Sequence, residues 1–553
     1  MKKMRKIFAV LLTLAMVLAM SIPTFAADNV IGNSDDEAEI KVTNVDSATS
    51  VKAYPIIKAT YGENGDFNGY QVLYTTTPEI TATKHDDNTL EYTISEEQIA
   101  GIRNSLHNDG ITMSNTTENP TTYSVVAPIG AYLIVVEGSE TSTYNSMIVS
   151  TNYKNEAGVN AIDITKNTAV AKKADKPTFN KTIKEESETK KGNSVNIGDI
   201  INYELTINNI PKYEGKYPIF NVTDKLSNGL TFNGEDVSVK IGDTTLTKDV
   251  DYKFSKNNQV ITINFVDNNL TAEGKTSYGY TLNKYASSSM TISYSATLNN
   301  SAALNEIGNN NDAELKYSKD SSVNSNEVTE KDKTYTYTFD IGGDIAGTET
   351  SINVDVLHLI NKVGEETKTI EINGEKKTVK AALKEAEFTI YKDESCTNKY
   401  TNAVEKDGIV KSNENGQIEL KGLKADTYYL KETKAPNGYS VNATPVKVEI
   451  IAEYYTEGKT NGRLKSWTLK VNNSEVARFN PPTKEGEIKW IRTDSIEKDG
   501  TTEFSTGYDI LNTKLSSLPS TGGIGTTIFT IAGCLIMVTA AGLFFASRKR
   551  TNK

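Results

Sequence analysis

The sequence predicts an all-β protein, a string of β-sandwich domains followed in the precursor by one C-terminal transmembrane helix. Two observations carry the β prediction. Proline is scarce, with 13 in 553 residues, while tyrosine is abundant at 28. Thr, Tyr, Val and Asn also crowd many short runs in which apolar and polar residues alternate between turn-forming clusters, the pattern of strands with one face on a core. A third observation predicts the helix. Ile524 to Ala546 carries no charge over 23 positions, and at about 1.5 Å per residue that length spans the roughly 30 Å hydrocarbon core of a bilayer. Arg548, Lys549 and Arg550 follow it, so the excess of positive charge places the C-terminus in the cytoplasm and everything before Leu518 outside.

Residues 1–26 read as a signal peptide. Lys2, Lys3, Arg5 and Lys6 precede the apolar run Ile7 to Met20, and Thr24-Phe25-Ala26 puts small residues at the −3 and −1 positions of a signal peptidase site. The mature chain is expected to begin near Ala27. Removing 1–26 and 522–553 takes away eight basic and no acidic residues, so the formal charge of −11 becomes −19, with 52 Lys+Arg against 71 Asp+Glu. An acidic, soluble product excludes nucleic acid as a partner and leaves the membrane as a transient precursor anchor. Cys534 lies in the span and only Cys396 remains, so no disulfide forms within the mature chain. His85, His107 and His358 are scattered without metal-ligand spacing, and no cofactor or metal is expected. About 490 mature residues suggest three domains.

The first domain is read as 27–168. Val51-Lys-Ala-Tyr-Pro-Ile-Ile and Tyr70-Gln-Val-Leu-Tyr are strands around a turn-rich segment, Gly62 to Gly69. One helix interrupts them. Ser95 with Gln98 forms a capping box, Ile99, Ile102 and Leu106 share a face, and Gly110 is read as the C-terminal stop, so the helix should cap a sheet. Gly130 to Val136 and Ser146 to Ser150 are further apolar strands. Val159-Asn-Ala-Ile-Asp-Ile-Thr-Lys166-Asn167 then puts a lysine at the close of a strand, before a linker expected over Thr168 to Lys176.

The second domain is read as 171–326. In the stretch Lys176-Pro-Thr-Phe-Asn-Lys181-Thr-Ile183, which opens a strand, Phe179, Lys181 and Ile183 fall on one face, so a lysine sits between two apolar neighbours. Ser194 to Ile207, Phe220 to Phe232 with Asp224, Ile292 to Leu298, and Asn311 to Tyr317 follow as strands. The third domain is read as 330–516. Tyr335-Thr-Tyr-Thr-Phe339 enters it, Val354 to Val363 is its main early strand and carries Lys362, and Ala386 to Tyr391 follows. The stretch Leu423 to Tyr439 contains Tyr428, Leu430 and Glu432 on one strand face, and Gly507-Tyr-Asp-Ile-Leu-Asn512 is the last strand. The segment 453–503, with Trp467 and Trp490, reads as an added hairpin or a binding surface.

Several of these stretches resemble one family. Leu518-Pro519-Ser520-Thr521-Gly522, the apolar span and the basic tail resemble the cell-wall sorting signal of Gram-positive surface proteins, which a sortase cleaves between Thr and Gly; that implies Thr521 as acyl donor. Ile164-Thr165-Lys166-Asn167 resembles in position the Tyr-Pro-Lys-Asn pilin motif of sortase-assembled pili, with Ile164-Thr165 standing where the family has Tyr-Pro. The resemblance implies Lys166 as acceptor, with Lys172, Lys173 and Lys176 as alternatives. The second-domain strands resemble the middle domains of backbone pilins, immunoglobulin-like sandwiches of the collagen-adhesin A type with an internal Lys–Asn isopeptide bond. The third domain matches the E-box of collagen-adhesin B-type domains at Tyr428, Leu430, Glu432, Thr433, Ala435, Pro436, Gly438 and Tyr439. By this resemblance Lys181, Asp224 and Asn311 form one bond-forming set, with Asn309 and Asn310 as alternatives, and Lys362, Glu432 and Asn512 form the other.

The chemistry accounts for these residue types. Burial in apolar surroundings lowers a lysine pKa toward the neutral, nucleophilic amine and raises that of a carboxyl group, which then moves protons as ammonia leaves the asparagine. Taken together, the resemblance implies a backbone subunit of a covalent pilus and not a turnover enzyme. Its partners would be a sortase, identical subunits, minor pilins and peptidoglycan. The alternative is a wall-anchored adhesin or minor pilin that binds a ligand without polymerising.

Overall fold

In the computed structural model, described over residues 16–21, 32–342, 359–480, 491–515 and 525–550 apart from short stretches at 47, 49, 85–88, 107–109, 140–141, 157–158, 172, 215–217, 320–326, 373–374, 403–406, 494, 499–500 and 505–506, the alternating runs become sheets. The chain divides into two units, residues 1–338 with 454–465, and residues 339–453 with 466–553.

The first unit begins with two facing sheets. β1 (Glu37–Thr43), β2 (Ser50–Tyr61), β3 (Phe67–Val72), β4 (Tyr123–Pro128), β5 (Gly130–Glu137), β6 (Met147–Ser150), β7 (Asn152–Glu156), β8 (Val159–Asp163) and β9 (Thr168–Val170) are its main strands. One sheet runs β6-β5-β2-β3, and the other contains β9-β1-β4. Ile40 and Val42 of β1 pack against Ala53, Ile134 and Val136 between them. The helix α1 (Glu96–Ser105) has the expected capping box, since the Gln98 amide donates to the Ser95 hydroxyl and the Ser95 amide to the Gln98 side chain. Ile99 and Ile102 join Tyr54, Ile56 and Leu133 in a second core, so the helix covers a sheet as its apolar stripe requires. The expected stop at Gly110 is corrected: the helix ends at Ser105, because Leu106 already turns extended. The expected linker is also corrected, because β9 pairs in parallel with β1 and residues 173–175 pair with Ser142–Tyr144.

A sandwich follows in the same unit. One sheet holds β10 (Thr178–Lys184), β12 (Ile200–Asn208), β14 (Leu230–Ile241) and β16 (Met290–Leu298). The other holds β11 (Gly192–Ser194), β13 (Phe220–Leu226), β15 (Val260–Asn264), β17 (Asn309–Ser318) and β18 (Glu327–Tyr337). β18 contains Tyr335, read from sequence as the entry to the third domain. It pairs instead with β17 over ten residues and with β11, so the second sandwich runs on to about Thr338.

The second unit contains β19 (Ile360–Ile372), β20 (Glu375–Ala382), β21 (Glu387–Tyr391), β22 (Thr427–Lys434), β23 (Val446–Tyr454), β24 (Leu464–Val471), β25 (Ser474–Asn480) and β26 (Tyr508–Leu511), although the adjoining ends of β23 and β24 are grouped with the first unit. β20-β19-β26 forms one sheet, and β21-β22-β23-β24-β25 forms the body of a larger one. The expected insertion is therefore largely sheet. Trp467 is buried against Phe339 at a 5.1 Å ring separation and is core, not a binding surface. Trp490, His85, His107, His358 and residues 351–358 lie outside the described residues, as do Leu518 to Gly522 and most of the expected signal peptide, of which Met16–Ser21 is a strand paired with Thr89–Ile94. The helix α2 (Gly525–Arg550) contains an exposed apolar span, Ile528–Arg548, of mean hydropathy 2.3.

Candidate functional site

In β10, alternation turns Lys181 inward with Ile183, and its side chain is fully buried. On the facing sheet, β13 and β17 pair so that Asp224 lies opposite Ala313 and Leu226 opposite Asn311. Asp224 and Asn311 are therefore diagonal neighbours on one inward face, both buried. The Lys181 Nζ donates to Asp224 Oδ2 at 2.5 Å and to the Tyr294 hydroxyl at 2.9 Å. Tyr294 donates to Asp224 Oδ2 at 2.5 Å and accepts from Asn311 Nδ2 at 2.8 Å. The amine also lies over the rings of Tyr203 and Tyr294, at 5.1 and 5.5 Å.

Burial pushes the Lys181 amine down from the ordinary lysine value and the Asp224 carboxyl up, against their mutual attraction. Both shifts favour a neutral amine beside a neutral acid. Asp224 Oδ1 is buried with no hydrogen-bond partner, which suits a protonated carboxyl better than a carboxylate. Of the alternative asparagines, Asn309 is fastened to the backbone of Ala303 through both ends of its amide, and Asn310 alternates to the outer face.

The second cluster is assembled differently. β19 and β26 are parallel neighbours with Lys362 opposite Ile510, and the Asn512 amide donates to the Val363 carbonyl at 2.9 Å. Lys362 and Asn512 thus stand side by side, and Nζ donates to Asn512 Oδ1. Glu432 reaches in from β22 of the other sheet, where Tyr428, Leu430 and Glu432 face inward. Its Oε1 lies 3.4 Å from Lys362 Nζ and accepts from Asn512 Nδ2 at 2.8 Å, while Oε2 accepts from the Asn442 amide at 2.7 Å. All three side chains are buried, the Phe388 ring lies 5.6 Å from the amine, and desolvation lowers the Lys362 pKa.

Lys166 is exposed in the turn between β8 and β9. Its backbone is held firmly, since its carbonyl accepts from the Ser150 amide at 2.9 Å and the neighbouring Asn167 side chain donates to the Glu39 carbonyl at 2.7 Å. Lys173 pairs with Asp46 at 2.6 Å, Lys176 is half-buried, and Lys172 lies outside the described residues. Sequence reasoning missed Tyr294, Tyr203 and the Asn442 amide. The available signal for Tyr294 was its inward register with Ile292 and Ala296, a hydroxyl among apolar side chains.

Residues 197–321 match a family described as Gram-positive pilin backbone subunit 2, Cna-B-like domain, residues 368–462 match a prealbumin-like fold domain, and residues 510–553 match the LPXTG cell wall anchor motif. The first description is Cna-B-like where the sequence resemblance pointed to an A-type domain. The trypsin-resistant surface T6 protein of Streptococcus pyogenes serotype M6 is 27% identical over 94% of this chain and 96% of its own. Among solved structures, the T6 backbone pilin of that serotype is 21% identical with a TM-score of 0.48, covering 87% of this chain and 99% of its own. BcpA, the major pilin subunit of Bacillus cereus, is 14% identical with a TM-score of 0.40, covering 77% and 100%. Sandwich domains and a wall-anchor signal define the class, a cell-wall-anchored surface protein of Gram-positive type. Within that class the chain is a sortase-assembled backbone pilin, a structural subunit of an extracellular pilus.

Proposed function

We propose that the mature subunit, about residues 27–521, polymerises when a sortase joins Thr521 of one copy to Lys166 of the next, and that two internal isopeptide bonds harden it. Lys181 would join Asn311 with Asp224 as the acid, and Lys362 would join Asn512 with Glu432 as the acid. The bonded sandwiches would occupy roughly 171–338 and 339–516. In each reaction the neutral lysine amine attacks the asparagine carboxamide carbon, the C–Nδ2 bond breaks, ammonia leaves with the proton given up by the lysine nitrogen, and an amide remains. Folding itself supplies the proximity, for which effective molarities reach about 10⁵ M or more, so each lysine reacts once without an enzyme. Minor pilins and peptidoglycan are the remaining partners of this reading.

The observation that carries it is the burial, twice in one chain, of a lysine against a carboxyl group and an asparagine amide in hydrogen-bonded contact. An isolated buried lysine is costly, and two such clusters of the same composition need a common cause. Intact mass of the recombinant ectodomain tests the reading. Loss of one ammonia per bond lowers it by about 17 Da each, about 34 Da for both. The full sequence mass would remove both bonds from the account.

A further inference from the structure

The two clusters differ in which atom stands between the reacting nitrogens, and this difference points to a further catalytic residue. In either reaction the nucleophile must give up one proton and the departing nitrogen must gain one, so the net transfer runs from the lysine Nζ to the asparagine Nδ2. In the second unit one atom, Glu432 Oε1, lies against both, 3.4 Å from Lys362 Nζ and 2.8 Å from Asn512 Nδ2. In the second sandwich the acid is an aspartate, one methylene shorter. Asp224 Oδ2 contacts Lys181 Nζ, whereas Asn311 Nδ2 donates to the Tyr294 hydroxyl.

We infer that Tyr294 is a catalytic residue of the Lys181–Asn311 reaction, relaying the proton from Lys181 Nζ to Asn311 Nδ2; the inference rests on the bond-forming reading above. Its hydroxyl oxygen is hydrogen-bonded to both nitrogens, at 2.9 and 2.8 Å, and donates its own proton to Asp224 Oδ2 at 2.5 Å. The balance closes with these groups alone. As the Lys181 nitrogen bonds to the Asn311 Cγ, its surplus proton passes to the oxygen of Tyr294. The hydroxyl proton of Tyr294 passes to Nδ2, the Cγ–Nδ2 bond breaks, and ammonia departs. Tyr294 ends as it began, with the proton received from Lys181 now donated to Asp224 Oδ2, and Asp224 stabilises the charge that passes through the hydroxyl. The ring is fixed for the task by stacking on Tyr203 at 5.2 Å and by packing near Phe232 at 5.6 Å. Tyr294 and Tyr203 face each other across β16 and β12, so the hydroxyl's position is set by sheet register.

The test follows intact mass with time as ectodomain recovered unreacted and unfolded from inclusion bodies folds for the first time, with the Lys362–Asn512 bond as an internal clock in the same chain. Tyr294→Phe keeps the ring and removes the relay. The expected result is normal loss of the ammonia from Asn512 and loss of the ammonia from Asn311 slowed about 100-fold or more, the usual scale for a positioned proton-transfer group. Loss of both at the wild-type rates overturns the relay. A wild type that loses no ammonia sinks the underlying bond instead, so the two failures are distinct. A fluorinated tyrosine placed at 294 covers the case in which the phenylalanine variant folds poorly, because it keeps the shape while making the phenol more acidic. It must change the rate of loss from Asn311 and leave the loss from Asn512 alone; an unchanged rate at Asn311 overturns the proposal.

Discussion

Removing the Lys362–Asn512 bond should cost the second unit far more stability than the chemistry of the substituted side chain alone. The two residues are 150 apart in sequence. By the chain-entropy estimate used for disulfides, closing a loop of about 150 residues restricts the unfolded chain by about 5 kcal/mol. At roughly 2–4 °C per kcal/mol for a domain of this size, the midpoint should fall by about 10–20 °C. A buried polar group left unsatisfied costs only about 1–3 kcal/mol, so the cross-link should dominate. Three variants separate the two effects by calorimetry because each abolishes the bond but leaves a different residue set behind. Asn512→Ala keeps Lys362 beside Glu432, Lys362→Met keeps the Asn512 to Glu432 hydrogen bond, and Glu432→Gln keeps an acceptor for the Asn442 amide. Their midpoints should cluster within about 8 °C of one another, well below wild type, with each mass about 17 Da above the value its own sequence would have with both bonds formed. A variant that lacks the bond by mass yet melts with wild type refutes the argument. So does a scatter as wide as the mean loss, which would assign the effect to local packing.

Two further outcomes are expected. Wall extracts should show a ladder that survives boiling in detergent and reductant. Lys166→Ala and Lys166→Arg should both collapse it to anchored monomer, since a guanidinium offers no free amine, and Thr521→Ala should abolish ladder and anchoring together; a ladder persisting in both Lys166 variants moves the acceptor to Lys172, Lys173 or Lys176. In Asn311→Ala the Lys181 amine stays titratable, with burial holding its pKa below the ordinary 10.5. Between the lowered value and 10.5 the unfolded chain then binds more protons than the folded one, so stability rises with pH across that window. The stability gap between this variant and bonded wild type should narrow as the pH approaches 10 in denaturant melts, and a widening gap would contradict the buried-amine account.

How much of this was legible in sequence depended on whether one strand or several decided it. Lys181 declared itself because its own strand carries Phe179 and Ile183 at period two, and Glu432 because Tyr428 and Leu430 precede it on the same face. The choice of Asn311 needed only a strand start and an alternation. Tyr294 was hidden, since its hydroxyl gains a role only when β16 and β12 pair in register and the facing sheet brings Asp224 and Asn311 to it. β18 was assigned to the wrong sandwich for a similar reason. The alternation around Tyr335 is the same in either domain, and the ten-residue pairing with β17, far from any local signal, decides. The stop at Gly110 failed because a glycine marks a place where a helix can end, while the extended conformation of Leu106 ended it earlier.

The placement of the two bonds also determines which parts of the subunit would feel a pull along the fibre. With both formed, tension entering at Lys166 follows the backbone to Lys181, crosses to Asn311, continues to Lys362, crosses to Asn512 and leaves at Thr521. Residues 182–310 and 363–511 then lie off the load path, held in place by their own sheets but not stretched. The first cross-link would tie one sheet of its sandwich to the other, because Lys181 and Asn311 come from opposite sheets; the second would tie two parallel neighbours within a sheet. Among the described residues, the rest of β17 after Asn311 and all of β18 lie between the two bonds. β18 precedes Lys362 and would carry the full load with no covalent shortcut. Its hold is antiparallel pairing with β17, a short parallel pairing with β11, and the Tyr337 hydroxyl that accepts from the Leu464 amide at 2.9 Å. Because Asn309 pairs with Thr336, the loaded residue Asn311 and the exit of β18 sit at the same end of that hairpin. Force there opens the ladder one pair at a time, while the bonded strands around it resist as covalent chain. With both bonds formed, the strand whose place in the fold the local sequence pattern did not reveal would thus lie on the load path between them.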